Sequence, residues 1–228
     1  MDSSKKEFID FIVESGALKF GDFTLKSKRK SPFFFNMGDL SSGAQLLHLA
    51  NGYAKTIHEQ FISKGQKVDV LFGPAYKGIP LAAATVTALS WHYSQHDIRF
   101  AANRKEAKDH GETGAILGGP IKEGDNIVIV EDVTTTGKSI QEVMPFIEAC
   151  GNVNVIGEVI ALDRRERGEG TTEYALKLLS RRQGFPVHAI ITMDDVIDCL
   201  YTYGDRKVIT DEIYERLKAY YAEYGGID

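Results

Sequence analysis

The sequence has little cysteine: Cys150 and Cys199 are the two in 228 residues. Two isolated thiols give neither a zinc-ligand spacing nor a disulfide framework, which argues against a small domain held together by metal or disulfides. The first residues also lack the apolar core of a signal peptide. We therefore expect a protein of a reducing compartment, the cytoplasm.

Long apolar runs and an excess of positive charge are missing too. No run approaches the roughly 20 apolar residues that span a bilayer, so we expect no membrane association. Lys and Arg number 27 against 32 Asp and Glu, a formal net charge of −5, whereas nucleic-acid-binding domains are usually basic. The basic residues cluster locally instead, at 26–30, 104–108 and 164–167, as suits small anionic ligands.

Apolar runs typical of strands alternate with segments of helical spacing along most of the chain. We predict strands at 17–20, 23–26, 33–36, 68–72, 98–101, 127–131, 153–162 and 187–191. We predict helices at 5–15, 43–64, 78–91, after residue 137 to 150, 171–182 and from 194 onward. This alternation predicts one α/β domain over 1–228, with a central, mostly parallel sheet flanked by helices. The charged, glycine-containing segment 103–116 fits neither pattern and is predicted to be a functional loop.

The segment 127–139, IVIVEDVTTTGKS, is the most informative part of the sequence. Its β-branched run predicts a strand buried on both faces, and Glu131 and Asp132 follow at the carboxyl end, where open parallel sheets bind ligands. Backbone amides in the next turn and the start of a helix attract an anion. We predict that the acid pair binds ribose hydroxyls. The phosphate would bind at Val133, Thr134, Thr135, Thr136, Gly137, Lys138 and Ser139.

The end of this segment, TGKS, looks like an ATP-binding P-loop, but the wider pattern excludes one. A P-loop requires G-x-x-x-x-G-K-[ST], which would place its first glycine at position 132. That residue is Asp132, whose carboxylate would repel the phosphates of a nucleoside triphosphate.

Four other segments carry candidate chemistry: 26–36 (KSKRKSPFFFN), 71–80 (LFGPAYKGIP), 103–111 (NRKEAKDHG) and 162–168 (LDRRERG). The first could hold a planar anion, the second presents loop amides and a lysine to a phosphate, the third could close over a ligand, and the fourth offers an arginine to a carboxylate. Each also has a plain alternative: a solvated charge run, a connector, a surface loop or a salt-bridged turn.

Taken in the order in which they occur along the chain, these five segments resemble those of the orotate phosphoribosyltransferases, a branch of the type I phosphoribosyltransferases. Segment 127–139 resembles the PRPP-binding signature, and 26–36 is similar to the LKSGRKSPYFFN stretch, with Lys28 where glycine is usual. The resemblance implies the type I fold with a small hood, built from 1–40 plus part of the C-terminal region. It also implies a homodimer with shared active sites, Mg²⁺ as cofactor and a mobile catalytic loop at 103–116.

The resemblance also implies a reaction and a role for individual residues. The reaction transfers phosphoribosyl from PRPP to N1 of orotate, giving orotidine 5′-monophosphate and pyrophosphate. The residues that contact the base are Lys26, Phe34, Phe35 and Arg164. The residues that bind the diphosphate are Tyr76, Lys77, Arg104, Lys105, Lys108 and His110. The catalytic residues belong to the loop and are Arg104, Lys108, Asp109 and His110. Among these four, Asp109 could assist proton transfer.

Two alternatives stay open at this point. A phosphoribosyltransferase for uracil or a purine would keep segment 127–139 but would have no need of the 26–36 and Arg164 elements. A regulator that keeps a PRPP pocket and binds nucleic acid would need a basic face, which the net charge does not favour. Turnover with several bases distinguishes the first alternative from an orotate phosphoribosyltransferase, and pyrophosphate release with orotate distinguishes the second.

Overall fold

The computed structural model describes residues 2–25, 28–105, 115–134, 137–202 and 208–227. Within these ranges the helices are α1 (Ser3–Glu14), α2 (Gly43–Gln60), α3 (Gly78–Tyr93), α4 (Lys138–Glu148), α5 (Ala175–Gln183), α6 (Met193–Ile197) and α7 (Asp211–Tyr224). The strands are β1 (Leu18–Thr24), β2 (Lys30–Phe35), β3 (Val70–Phe72), β4 (Arg99–Asn103), β5 (Ile116–Gly118), β6 (Asn126–Glu131), β7 (Asn154–Asp163) and β8 (Val187–Thr192). None of the helices in the described ranges is both long enough and apolar enough to cross a membrane.

The main sheet confirms the predicted, mostly parallel architecture. Among the described residues its six strands run in the order β5–β4–β3–β6–β7–β8. All neighbours are parallel except β5, which is antiparallel to β4. Because the parallel strands share one direction, their carboxyl ends lie at the same edge of the sheet, the edge where such folds bind ligands.

Helices cover both faces of this sheet, which explains the continuous apolar run in β6. Val128 and Val130 belong to a core cluster that includes residues of α1, α2 and α3. Ile127 and Ile129 belong to a second cluster, with residues of α4 and α5. A strand buried on both faces has no polar alternation, so its sequence was recognisable as a central strand.

A separate two-stranded antiparallel sheet, β1–β2, lies beside α7. The ring of Phe33 on β2 packs edge-on against Tyr220 of α7, with centroids 5.9 Å apart, and Arg216 of α7 donates to the Gly21 carbonyl oxygen at 2.9 Å. Helix α1 packs instead against α2, where Gly52 leaves room for the ring of Phe8. The division into a main domain and a hood of 1–40 plus part of the C-terminal region stays a prediction.

The segment 103–116, which the sequence predicts as a loop, has a strand residue at each of its two ends. Asn103 ends β4, Ile116 begins β5, and the two residues pair across an antiparallel ladder. The predicted bounds were therefore wrong by one residue at each end: β4 continues to Asn103, and the three-residue strand β5 is too short to give a recognisable pattern. Residues 106–114 lie outside the described residues, and the mobile catalytic loop stays a prediction there.

Two helix starts also differ from the predicted ones. Helix α1 begins at Ser3 and not at residue 5, because the side chain of Asp2 caps it by accepting from the Ser4 amide at 3.1 Å. Helix α5 begins at Ala175 and not at residue 171, because the preceding residues pair with the C-terminal segment: the Tyr174 amide donates to the Ile227 carbonyl at 3.2 Å. Such tertiary pairing leaves no local signal in the sequence.

Lys28 adopts a left-handed backbone conformation, with φ of 65°. Its amide donates to the Leu25 carbonyl at 2.8 Å, and the Leu25 amide donates to the Arg29 carbonyl at 2.9 Å, which closes a tight turn between β1 and β2. A residue with a Cβ costs about 1–2 kcal/mol there, whereas glycine does not. This cost is a physical reason for the glycine usual at this position in the similar family segment.

Glu158 is a carboxyl group inside the sheet, and its residue is 0% exposed. It lies on β7 opposite Ile129 of β6, two positions from the neighbouring pair of Glu131 and Ile160. Within the described part of the chain, neither of its carboxyl oxygens has a hydrogen-bond partner. Burial, and after it the charge of Glu131, raises the pKa of Glu158 well above 4.5, so the neutral acid is favoured.

We expect replacement of Glu158 with Gln to stabilise the protein more at higher pH. A raised pKa in the folded protein means that this group contributes its full stability below the unfolded pKa of about 4.5 and loses it as pH rises towards the folded pKa. Gln has a similar shape and does not titrate. The Tm of Glu158→Gln minus that of the parent should therefore grow by at least about 2 °C between about pH 5 and pH 8.

Thermal unfolding monitored by circular dichroism at several pH values measures this difference. Glu148→Gln, at an exposed position on α4, is the matched control and should show no such trend. A Tm difference for Glu158→Gln that does not change with pH would contradict the neutral buried acid.

Candidate active site

Loops that follow β3, β4 and β6 line a cleft of about 260 Å³ at the carboxyl edge of the sheet. Its polar lining includes Tyr76, Lys77, Lys105, Glu131, Asp132 and Ser139. These residues are separated in sequence by up to 63 positions, from 76 to 139, and the parallel strands bring them together. The structure therefore places six of the predicted site residues around one cavity.

Glu131, the last residue of β6, is held at both its main chain and its side chain. Tyr53 of α2 donates its hydroxyl to the Glu131 carbonyl oxygen at 2.6 Å, and Ser139 of α4 donates to Oε2 at 2.5 Å. Burial, with a smaller contribution from the charge of Asp132, raises the pKa of Glu131 to about 7 against the opposing effect of the Ser139 hydrogen bond. Glu131 thus changes charge near neutral pH.

Asp132 lies between its own turn and a lysine from another loop. Its Oδ1 accepts from the Val133 amide at 2.9 Å, and its Oδ2 accepts from Lys77 Nζ at 3.1 Å. The same ammonium group donates to Asn36 Oδ1 at 3.1 Å. Lys77 is 62% exposed at its side chain against 17% for Asp132, so the lysine can exchange this partner for an anionic ligand.

The loop after β3 is tightly closed on itself. A Cβ on Gly73 would collide with the Gly78 carbonyl oxygen, so glycine is required where the loop enters and leaves. The Ala75 amide donates to Asn103 Oδ1 at 2.9 Å, which ties this loop to the end of β4. The predicted phosphate-binding loop is therefore closely packed and tied to β4, and two side chains project from it.

Those two side chains, Tyr76 and Lys77, lie next to the basic segment after β4. Lys105 Nζ lies 5.0 Å from the centre of the Tyr76 ring, and Tyr76 is 63% exposed. The Arg104 amide donates to the Ala115 carbonyl at 2.7 Å, while its buried Nε has no hydrogen-bond partner among the described residues. Lys77 and Lys105, from the loops after β3 and β4, thus border the acid pair.

The turn after Asp132 leads directly into α4. Gly137 has φ of 69° and caps the helix, and a Cβ at this position would collide with Leu179 of α5. Thr134 is buried. Lys138 begins α4, but its side chain is 81% exposed and lies 3.8 Å from Glu142. The main-chain amide of Lys138, and not its side chain, therefore suits an anion site.

The aromatic residues of β2 do not form one stack. Phe34 is 38% exposed and lies 5.5 Å from the Phe23 ring, whereas Phe35 is 7% exposed and belongs to the core. Neighbouring residues of a strand point to opposite faces, so the two rings lie on opposite sides of β2. Phe33, which had no predicted role, lies under the Arg164 guanidinium at 4.3 Å.

Arg164 is buried at 9% exposure, just after β7. Its Nε donates to Glu166 Oε1 at 2.8 Å, and one terminal nitrogen lies 2.7 Å from the same oxygen. A weaker contact of 3.5 Å reaches Ser31 Oγ on β2. The arginine predicted to meet a carboxylate therefore already has a buried one as its partner.

Several predicted site residues fall outside the described ranges: Lys26, Lys108, Asp109, His110, Thr135 and Thr136. Their roles stay predictions. Other residues now in the site had no predicted role, namely Asn36, Tyr53, Glu166 and Tyr220. The partners of Asn36, Tyr53 and Tyr220 lie far away in the chain, such as Glu131 for Tyr53, 78 positions on, so local sequence patterns carried no signal for them. Glu166 differs, because it pairs with Arg164 two positions before it.

No group of three or more His, Cys, Asp or Glu able to hold a metal ion is found in the described part of the chain. Glu131 and Asp132 do offer carboxylate oxygens side by side at one strand end. Mg²⁺ commonly takes one or two protein carboxylates and completes its shell with phosphate oxygens and water. The acid pair therefore fits Mg²⁺ that arrives with a phosphorylated ligand.

Comparison with known proteins gives one consistent family. Residues 37–190 match the phosphoribosyl transferase domain. The chain is 52% identical over 227 residues to the orotate phosphoribosyltransferase of Lachnoclostridium phytofermentans, with 99% of both chains covered. It is 48% identical over 227 residues to that of Clostridium beijerinckii, again with 99% of each covered.

Solved structures agree with this result. The crystal structure of orotate phosphoribosyltransferase from Francisella tularensis matches with a TM-score of 0.79 and 34% sequence identity. The match covers 96% of this chain and 100% of that one. The likeness therefore extends over the whole fold.

Proposed function

The chain belongs to the orotate phosphoribosyltransferase family, and we propose that it transfers phosphoribosyl from PRPP to N1 of orotate. The products are orotidine 5′-monophosphate and pyrophosphate, which makes the protein a pentosyltransferase of UMP biosynthesis. One observation carries this proposal: Lys77 contacts Asp132 next to Glu131, at the carboxyl end of β6 and in front of α4. The acid pair suits the hydroxyls of a ribose, the cation suits its diphosphate, and the helix start suits its 5′-phosphate.

The charges in the cleft suit the bond that breaks. Cleavage at ribose C1 builds positive charge on the sugar and negative charge on the leaving diphosphate. Glu131 and Asp132 would bind the ribose hydroxyls and face the developing positive charge, while Lys77, Lys105 and Arg104 would face the diphosphate. Preorganised charges of this kind stabilise the transition state, and no covalent nucleophile is needed.

The turn after the acid pair would hold the 5′-phosphate. Backbone amides from Val133 to Ser139 and the start of α4 favour an anion. A ribose fixed at its phosphate and at its hydroxyls leaves C1 in a defined place for attack by the base. We assign Lys26, Phe34, Phe35 and Arg164 to the base by resemblance, and the burial of Arg164 supports this for its guanidinium.

We propose Mg²⁺ as the cofactor, held mainly by PRPP oxygens and water, with Glu131 and Asp132 as the available protein oxygens. When bound, the ion would neutralise part of the diphosphate charge. Lys108 and His110 would add further positive charge from the catalytic loop, and Asp109 could assist proton transfer.

We also infer a cytoplasmic homodimer with shared active sites. Trp91 of α3 is 84% exposed and Leu47 of α2 is 56% exposed, and such exposure of large apolar side chains supports a contact surface. Both cysteines are free thiols, which suits a reducing compartment.

The direct test of function is ultraviolet-monitored consumption of orotate by the purified protein. Orotate should disappear when both PRPP and Mg²⁺ are present, with one pyrophosphate released for each orotate consumed. Uracil, adenine and guanine should react at least about 100-fold more slowly, since they lack the carboxylate that Arg164 would bind. Comparable turnover of another base, or none of orotate, would contradict the proposal.

The pH dependence of activity should report Glu131. With a pKa of about 7 in the free protein, Glu131 is neutral below this pH and charged above it. If the carboxylate binds ribose, kcat/KM for PRPP should fall as pH falls through about 7. Glu131→Gln should be less active and should lose this step, while it keeps any step due to titration of PRPP itself. An unchanged acid limb in the variant would contradict the role of Glu131.

Shared active sites can be tested with mixed dimers. One subunit carries Lys108→Ala and the other Asp132→Asn, with different purification tags. If the loop of one subunit completes the site of the other, one site of the mixed dimer is intact, and we expect about half the parent activity. Each variant homodimer should be nearly inactive. A mixed dimer as inactive as both homodimers would show that each site is built from one subunit.

A further inference from the structure

A buried polar cluster joins the predicted base-binding arginine to the C-terminal helix. Glu166 is 6% exposed and Tyr220 is 5% exposed. Tyr220 donates its hydroxyl to Glu166 Oε1 at 2.6 Å, the same oxygen that accepts from Arg164 Nε at 2.8 Å. The chain of contacts Tyr220, Glu166, Arg164 thus crosses from α7 to the end of β7.

The cluster fixes the guanidinium from several directions. Glu166 Oε1 contacts Nε and one terminal nitrogen of Arg164, and the Phe33 ring covers one face of the guanidinium at 4.3 Å. The Arg164 main chain is also held, because Tyr221 of α7 donates to its carbonyl oxygen at 2.9 Å. A guanidinium has five N–H donors, so donors remain for a second carboxylate in a set orientation.

The charges of the cluster leave room for one more anion. The second oxygen of Glu166 lies 3.5 Å from Arg29, so two guanidiniums share this carboxylate. Arg164 is the more buried of the two, with 10% side-chain exposure against 36% for Arg29. Buried charge is stabilised by a partner of opposite sign. A carboxylate on the base would supply that partner, whereas a base without one would leave the cluster as it is.

We propose that Glu166 and Tyr220 are positioning residues that orient Arg164 for the carboxylate of the substrate base, and so determine the preference for a carboxylated pyrimidine. This inference rests on the proposed function. Tyr220 acts through Glu166: its hydroxyl bond keeps the carboxylate on the Nε side of Arg164. Burial, and then the bond to Glu166, raise the pKa of Tyr220 to about 12, so this hydroxyl remains a donor at physiological pH.

The test compares the binding of two nucleotides that differ in the carboxylate alone. Orotidine 5′-monophosphate and uridine 5′-monophosphate share ribose and phosphate. The Kd of uridine 5′-monophosphate divided by the Kd of orotidine 5′-monophosphate therefore isolates the contribution of the carboxylate. Tyr220→Phe keeps the ring against Phe33 and removes the hydroxyl. We expect the ratio to drop about fivefold, the effect of one lost hydrogen bond, through weaker binding of the carboxylated nucleotide with uridine 5′-monophosphate unchanged.

Kinetics should show the same selectivity. KM for orotate should rise about fivefold in Tyr220→Phe, while KM for PRPP stays constant. The matched control is Tyr214→Phe, the same change on the same helix at a ring that stacks on Tyr201 away from this cluster, and it should leave both constants unchanged. Glu166→Gln is the second variant and should reduce the nucleotide ratio at least as much as Tyr220→Phe.

The outcomes separate this inference from the proposed function. Equal weakening of both nucleotides, or a lower Tm with an unchanged ratio, would show that Tyr220 has a structural role only and would overturn the inference. A parent protein that binds both nucleotides equally and does not consume orotate would instead overturn the proposed function, whatever the variants do.

Discussion

The contact between Lys77 and Asp132 joins three parts of the molecule that are far apart in sequence. The ammonium group comes from the loop after β3, the carboxylate follows β6, and Asn36 follows the β1–β2 hairpin. An ion pair with so exposed a lysine contributes no more than about 1 kcal/mol. It therefore orders the cleft without resisting a phosphorylated ligand that would take over the lysine.

Buried ionisable groups divide the protein into two environments. Around β6 and β7, Glu131 and Glu158 are carboxyls with raised pKa values, and in both the main cause is burial. At the end of β7, Arg164 and Glu166 pair instead in a cluster closed by Tyr220. The sugar would therefore meet Glu131, which changes charge near neutral pH, whereas the base would meet a fixed charge.

The sequence predicted the central sheet and the acid pair because both follow from short-range patterns. An apolar run such as 127–130 and two carboxylates at its end identify a buried strand and its ligand-binding edge without knowledge of the rest of the chain. The antiparallel strand β5, the separation of the Phe34 and Phe35 rings and the packing of Phe33 and Tyr220 around Arg164 and Glu166 were not predicted. They depend on pairing between distant segments, or on the period of a strand whose burial the sequence did not reveal. The role of Lys28 is intermediate: its departure from glycine was visible, but the left-handed turn that explains it was not.

A crystal structure with orotidine 5′-monophosphate bound is the most direct measurement of the proposed site. We expect the 5′-phosphate on the backbone amides between Val133 and Ser139, the ribose hydroxyls on Glu131 and Asp132, and the base carboxylate on Arg164. A nucleotide bound elsewhere, with its phosphate away from this turn, would contradict the assignment of the cleft and the mechanism derived from it.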